Sequence, residues 1–376
     1  MKKEILASLL VLASYGASAQ ESKATWVNNL KLSGYGITQY QYSGQSGAKA
    51  NSFNIRLVRV SLDGRILNDV AWKAQIQLNG NTSTLGSSPR IVDLFAEWQK
   101  YGYFKVKLGQ FKRPFTFENP MHPVDQGFMG YAQNVTSLAG FNDRVGAHSS
   151  NGRDIGLQLQ GDFLKNSNGR NLLHYQVGIF NGQGINVKDV DQRKDIIGGI
   201  WVMPVAGMRL GVFGWEGSYA RKGDWSETDA VGNTVEHKGA IRSLSQHRYA
   251  ISGEYVVNDW TFRSEYIHST GNAFAKTYQD SKTASDCTLS SNGNKADGFY
   301  VLAIAPIIKK QMHVKARYDL YRKTGEWASA KTFYEIGADY EFTKNLEISA
   351  EYARVNDRTL AKHDYDMVDV QVSFRF

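Results

Sequence analysis

The residues of this chain that can do chemistry are charges set at every second position of short segments. Lys73 shares a parity with Gln75 and Gln77, while Trp72, Ala74 and Ile76 fill the places between. Lys105 and Lys107 alternate with Phe104, Val106 and Leu108, and Lys112 and Arg113 follow. Lys315 and Arg317 alternate with Val314, Ala316 and Tyr318. The acids do the same: Asp93 and Glu97 against Leu94, Ala96 and Trp98, Glu335 and Asp339 against Tyr334, Ile336 and Ala338, and Glu347 and Glu351 against Leu346, Ile348 and Ala350. Successive side chains of a strand point to opposite faces, so each segment has one wet and one apolar face. Charges gathered on a wall act through their field. Ammonium and guanidinium groups attract anions, and arginine can grip phosphate oxygens bidentately. Bases early in the chain (Arg56, Arg59, Lys73, Lys105, Lys107, Lys112, Arg113) with Arg317 would face acids that dominate its end, a transverse field that orients polar solutes.

Catalytic spacings are missing. The eight histidines are scattered, and none lies in an H-E-x-x-H pattern; no G-x-S-x-G is present. Asp189, Asp191 and Asp195 hint at calcium, but the turn glycine and terminal glutamate of a calcium loop are lacking. A solvated charged loop is the stronger reading there. No metal, no cofactor and no enzymatic activity are expected.

The elements that must carry these charges are strands. Sixteen alternating segments are legible, many near the roughly ten residues that a tilted membrane strand needs. Short links fall at 68–69, 100–102, 165–170, 204–207, 258–259, 309–310 and 344–345. Long polar ones fall at 43–51, 80–90, 115–152, 181–194, 220–246, 270–297, 322–331 and 355–364, and the two kinds alternate strictly. A soluble sandwich has no reason to do this. A transmembrane barrel has tight periplasmic turns and long external loops. The predicted fold is therefore all-β, a closed antiparallel transmembrane barrel of about sixteen strands. Trp72, Trp98, Trp260, Tyr340, Tyr352 and Phe374 suit aromatic girdles at the membrane interfaces. Arg56 and Arg59 fall on opposite parities, which predicts a β-bulge between them.

Composition agrees. There are 36 glycines, only 6 prolines, and aromatics at 12%. The single Cys287 excludes an internal disulfide, so a closed sheet with no open edge must supply stability. A net charge of +8 could suggest nucleic acid, but the N-terminus argues for export and against such a partner. Lys2 and Lys3, an apolar run from Ile5 to Ala13, and Ala17-Ser18-Ala19 form the three parts of a signal peptide at 1–19, leaving a barrel domain at 20–376.

Five stretches resemble the phosphate-selective porin O and P family of Gram-negative outer membranes. They are FNIRLVRVSLDG at 53–64, WKAQIQL at 72–78, KLGQFKRPFTF at 107–117 followed by Glu118, YQVGIFNG at 175–182, and VDVQVSFRF at 368–376. The resemblance implies sixteen strands, a homotrimer in outer-membrane lipid, and a third external loop folded into the pore. It also implies passage of small hydrophilic solutes or anions, and an aromatic end, Phe374 and Phe376, that serves the barrel-assembly machinery. In that family arginines and lysines on the early strands guide anions inward. Apolar Leu57 and Val58 stand where the family often has further arginines, which favours a weakly anion-preferring general pore over a phosphate- or polyphosphate-selective one. An adhesin or receptor built on the long loops, or a membrane-embedded hydrolase, are the competing classes. The third loop is rich in aromatics (Phe117, Phe128, Tyr131, Phe141) beside Asp125, Asp143 and Arg144, so it can pack against a barrel wall. N-terminal sequencing of the protein recovered from membranes is expected to start at Gln20; a chain that retains Met1 would remove the export argument.

Overall fold

In the computed structural model the sixteen segments close on one another. The structure describes residues 27–79, 89–277 and 285–376, and the expected leader at 1–19 lies outside them. The strands are β1 (Val27–Ser43), β2 (Ala50–Ile66), β3 (Val70–Gln77), β4 (Arg90–Tyr101), β5 (Phe104–Lys112), β6 (Arg153–Lys165), β7 (Asn171–Phe180) and β8 (Asp195–Val202). They continue as β9 (Met208–Thr228), β10 (Thr234–Val257), β11 (Trp260–Thr270), β12 (Lys295–Ile308), β13 (Met312–Arg322), β14 (Ala330–Thr343), β15 (Leu346–Asp357) and β16 (Asp364–Arg375). Each strand pairs with its sequence neighbours and β16 returns to β1, so the barrel is closed. The β1–β16 and β1–β2 contacts are antiparallel, as a meander requires. Tight turns use left-handed residues: Asn258 and Asp259 have φ of 50° and 74°, the geometry that two-residue hairpins favour.

Bulges tune which side chains face inward. The β1–β2 ladder passes from Ile37 opposite Leu57 to Thr38 opposite Ile55, so Arg56 is the extra residue. The expected bulge is there, and it lets Arg56 reach the lumenal Gln371 while Arg59 reaches Gln77. A second shift, between Gln75 opposite Asp93 and Ile76 opposite Ile91, leaves Val92 unpaired. Val92 shares its parity with the outward Leu94, yet it is fully buried.

One connection differs from expectation. The sequence places a long loop at 220–246, whereas β9 and β10 continue as a hairpin out to Thr228 opposite Thr234. Its distal segment (RKGDWSETD) is polar on both faces, so apolar alternation stops although pairing does not. Beyond Glu216, the last β9 residue paired with β8, the free edge is met by the chain after β7. Asp195 accepts from the Ser218 amide and Asp191 from the Ser218 hydroxyl, which blunts an edge otherwise open to pairing.

The closing seam has its own packing device. Gly34 and Phe376 exchange both backbone hydrogen bonds at 3.0 Å. The rings of Phe376 and Phe374 lie over Gly34 and Gly36, where a Cβ would collide with ring carbons. Gly34→Val is expected to lower the unfolding midpoint in detergent by the equivalent of about 1–3 kcal/mol, the usual cost of overpacking. An unchanged heat-shift of the folded band on gels would show that the glycine is not needed.

Candidate functional site

The longest described connection, 113–152 between β5 and β6, turns inward and lies across the lumen. Phe115, Phe117, Phe128 and the helix α1 (Gln133–Leu138) are buried against Phe180, Ile197, Phe213, Trp215, Tyr300 and Leu302 of the wall. Phe117 meets Phe213 edge-on at 5.4 Å and Trp201 at 5.5 Å. Each fully buried aromatic contributes on the order of 2 kcal/mol. The inner face of β7–β9 and β12 is thus apolar where the loop covers it. Parity alone missed this, because both faces of such strands look greasy.

Charged wall residues hold the loop by its main chain. Glu265 on β11 accepts from the amides of Phe117 at 2.6 Å and Glu118 at 2.9 Å. Asp319 on β13 accepts from the Gln133 amide, at the start of α1, and Glu351 on β15 from the Met129 amide, each at 2.8 Å. Cations take the carbonyls: Arg263 that of Gln126, Lys315 that of Gly127, Arg317 that of Gly130 and Arg248 that of Leu138, at 2.8–3.0 Å. Arg248 also pairs with Asp143 of the loop through two nitrogens. Burial raises the Asp143 carboxyl, but the Arg248 guanidinium, the Val145 amide and Arg113 together outweigh it, and the net lies below the ordinary value.

Two chambers remain beside the loop. One is lined by Arg59, Lys73, Lys107, Lys112 and Arg153, with Asp93 the acid among them. The other is lined by Asp125, Asp259, Asp339, Glu341 and Glu347 around His313, Lys315 and Arg375. Basic and acidic walls therefore face separate spaces. His122, on the loop beside the basic chamber, packs edge-on to Tyr35 at 4.4 Å. Burial holds its imidazole down to about 4, so it is neutral at physiological pH. His148 is likewise lowered by burial to about 4.

The candidate bases separate into two groups. Lys73 lies 3.4 Å from Asp63, Lys105 3.5 Å from Asp162 and Lys107 3.8 Å from Glu97. Arg317 binds Glu335 at 2.5 Å, and Lys315 binds Glu351 at 2.7 Å. Arg113, expected on the pore wall, is 1% exposed and its guanidinium turns to Asp154 at 2.8 Å. Asp93 is taken by Arg153 at 2.6 Å, a partner that sequence reasoning missed. By contrast Arg59 is bound only by neutral groups, Gln77 and the Tyr35 hydroxyl, and Arg56 by Gln371. Arg90, placed by the sequence in a loop, donates to the Ser149 carbonyl from the first position of β4. Among the described residues no carboxylate lies within ion-pair distance of these three. The acids Glu335 and Glu351 are committed to cations, Asp339 accepts from His313 at 3.1 Å, and Glu347 accepts from Ser349 at 2.8 Å. Of the aspartates at 189, 191 and 195, Asp189 pairs with Lys194, Asp191 accepts from the Ser218 and Ser243 hydroxyls, and Asp195 accepts from the Trp215 indole and the Ser218 amide.

Lys112 is a pin and not a free charge. Its ammonium donates to the carbonyls of Asn119 and Met121, both at 2.7 Å, and to the Tyr131 hydroxyl at 2.8 Å. Lys112→Met leaves the Asn119 carbonyl unmatched and the Met121 carbonyl with the Tyr131 hydroxyl alone, and is expected to destabilise the folded barrel by about 2 kcal/mol. The check is the urea midpoint in detergent; a midpoint equal to wild type would mean that the three bonds contribute nothing.

The model of a family described as phosphate-selective porin O and P matches residues 33–191. Among solved structures, the anion-selective porin from Comamonas acidovorans is 13% identical with a TM-score of 0.61, covering 93% of this chain and 99% of that one. OmpF of Salmonella typhi in complex with daunomycin is 14% identical with a TM-score of 0.62, covering 93% and 98%. The trimer form of OmpT, an outer membrane protein of Vibrio cholerae, is 13% identical with a TM-score of 0.57, covering 93% and 99%. No curated protein matches the chain. At these identities the solved structures speak for the fold alone. The chain is a sixteen-stranded barrel of the porin type that carries the phosphate-selective porin O and P pattern over residues 33–191, the stretch that contains GQFKRPF.

Proposed function

We propose that this chain is an outer-membrane porin, a water-filled channel for passive diffusion of small hydrophilic solutes with a weak preference for anions. The observation that carries the reading is the imbalance of the lumen. Most lumenal cations have a carboxylate partner, while Arg56, Arg59 and Arg90 are bound by neutral oxygens only. A guanidinium whose charge is not cancelled nearby attracts anions from solution. The acidic chamber opposes it, so the preference is modest. The apolar, aromatic outer face suits outer-membrane lipid, and the 1–19 leader suits export to that membrane. Phe374 and Phe376 suit recognition by the barrel-assembly machinery. Homotrimer formation is supported by the trimer form of the Vibrio cholerae relative. This reading places the chain with channels and not with enzymes.

A phosphate-selective channel is the second reading. It is favoured by the bulge that turns Arg56 to the same inner face as Arg59 despite the Leu57 and Val58 between them. Reversal potentials in a potassium chloride gradient across planar bilayers test both. A small anion preference is expected, reduced toward zero by Arg56→Gln, Arg59→Gln and Arg90→Gln together. Cation preference in the wild type overturns the first reading. Chloride current that saturates with low phosphate selects the second.

A further inference from the structure

The short-turn end of the barrel carries mainly one sign of charge. Lys100, Lys165, Lys309, Lys310 and Lys344 lie in or beside the turns that join β4 to β5, β6 to β7, β12 to β13 and β14 to β15, and all are exposed. Among the described residues no carboxylate lies within ion-pair distance of their ammonium groups. Arg65 and Arg170 add two guanidiniums at the same end, held by the turn carbonyls of Asn68 and Pro204. The turns themselves hold two acids, Asp69 and Asp259, and Asp259 is taken by the Lys310 amide and by His313. Glu341 and Glu347 at this end line the acidic chamber inside. At the opposite end, Lys194, Lys238, Arg322 and Lys331 each meet a carboxylate.

Apolar groups stand beside the unpaired lysines. Leu67, Leu164, Ile307 and Phe342 are 58–69% exposed at the same end. Leu67 and Leu164 hold left-handed backbone, with φ of 52° and 55°, which leucine rarely adopts. Turn geometry would favour glycine or asparagine there, so it does not account for the leucines, and water gives them no partner. Tyr101, Tyr103, Phe163 and Tyr175 stack in series with ring centroids 5.4–6.4 Å apart, and the Lys100 ammonium lies 5.8 Å from the Tyr101 ring.

We propose that this rim is a binding surface for anionic phospholipid headgroups of the leaflet that the short turns face, so that the barrel gathers such lipids around its base. The inference rests on the outer-membrane reading and not on conduction. A lysine beside an apolar residue lays its methylene stem along acyl chains and lifts its ammonium to the phosphate level. One cation near an anionic surface is worth about a fivefold preference, and lysines at four turns meet several lipids at once. A soluble acidic partner would use the charges but would leave Leu67, Leu164 and Ile307 in water.

The test uses the full-length protein folded into phosphatidylcholine bilayers that contain a lipid brominated high on its acyl chains. The brominated lipid is phosphatidylglycerol in one series and phosphatidylcholine in the other, at equal mole fraction. Trp72, Trp98 and Trp260 stand on the outer face close to the short turns, so lipid at the rim quenches their fluorescence. Phosphatidylglycerol is expected to be preferred by about fivefold or more. The preference should collapse in 1 M sodium chloride, where screening acts within about 3 Å. It should also be lost when Lys165→Gln, Lys309→Gln, Lys310→Gln and Lys344→Gln are combined, with the heat-shift of the folded band retained. Equal quenching by the two lipids overturns the proposal, as does a preference that survives high salt or the four substitutions. Equal quenching together with lysine-dependent binding of polyglutamate in detergent assigns the rim to a soluble acidic partner instead. No quenching by either lipid overturns the outer-membrane reading along with the proposal. A lipid preference without any conductance sinks the channel reading and leaves the rim assignment standing.

Discussion

A chain that crosses a lipid layer as strands must satisfy every backbone amide and carbonyl by itself, since hydrocarbon offers neither donor nor acceptor. The β1–β16 pairing from Tyr35 opposite Arg375 to Ser43 opposite Met367 meets that demand by closing the sheet. Everything else follows from closure. A closed sheet has an inside, the inside holds water, and alternation then divides each strand into a face for lipid and a face for solvent. Rings as large as Trp72 and Phe374 can stand outward because glycines such as Gly64 and Gly36 lie beneath them.

The lumen is not simply wet. Where the third loop crosses, the wall needs apolar side chains to receive Phe115 and Phe117, and buried charges to receive the loop's main chain. Elsewhere it needs polar groups that can face water. A single cylinder thus carries three kinds of inner surface: a dry seat under the loop, a basic chamber beside β2–β6 and an acidic one beside β13–β16. Most of the charge on these surfaces is cancelled by near neighbours. The few guanidiniums bound by neutral oxygens count for more than the many that are paired.

Strands and tight turns were legible in the sequence because alternation and turn residues are local. The bulge at Arg56 was legible too, as a change of parity. The distal β9–β10 hairpin was not, since a polar ribbon standing clear of the apolar belt has no contrast between its faces. Charge pairing was hidden for another reason. Lys107 faces Glu97 and Lys73 faces Asp63 only once strand register is known. The Arg113–Asp154 pair spans an entire loop. Seats such as Tyr300 and Leu302 depend on a segment more than a hundred residues away, beyond the reach of any periodicity.

The seam between Gly34 and Phe376 has a temporal side. The two partners are more than three hundred residues apart in sequence, so β1 keeps an unpaired edge until β16 has come round to meet it. Contacts so distant along the chain are slow to find. Until the ring shuts, the sheet has two raw borders, each a template on which a second chain could pair. Haste in that last union therefore protects the molecule from joining to its neighbours.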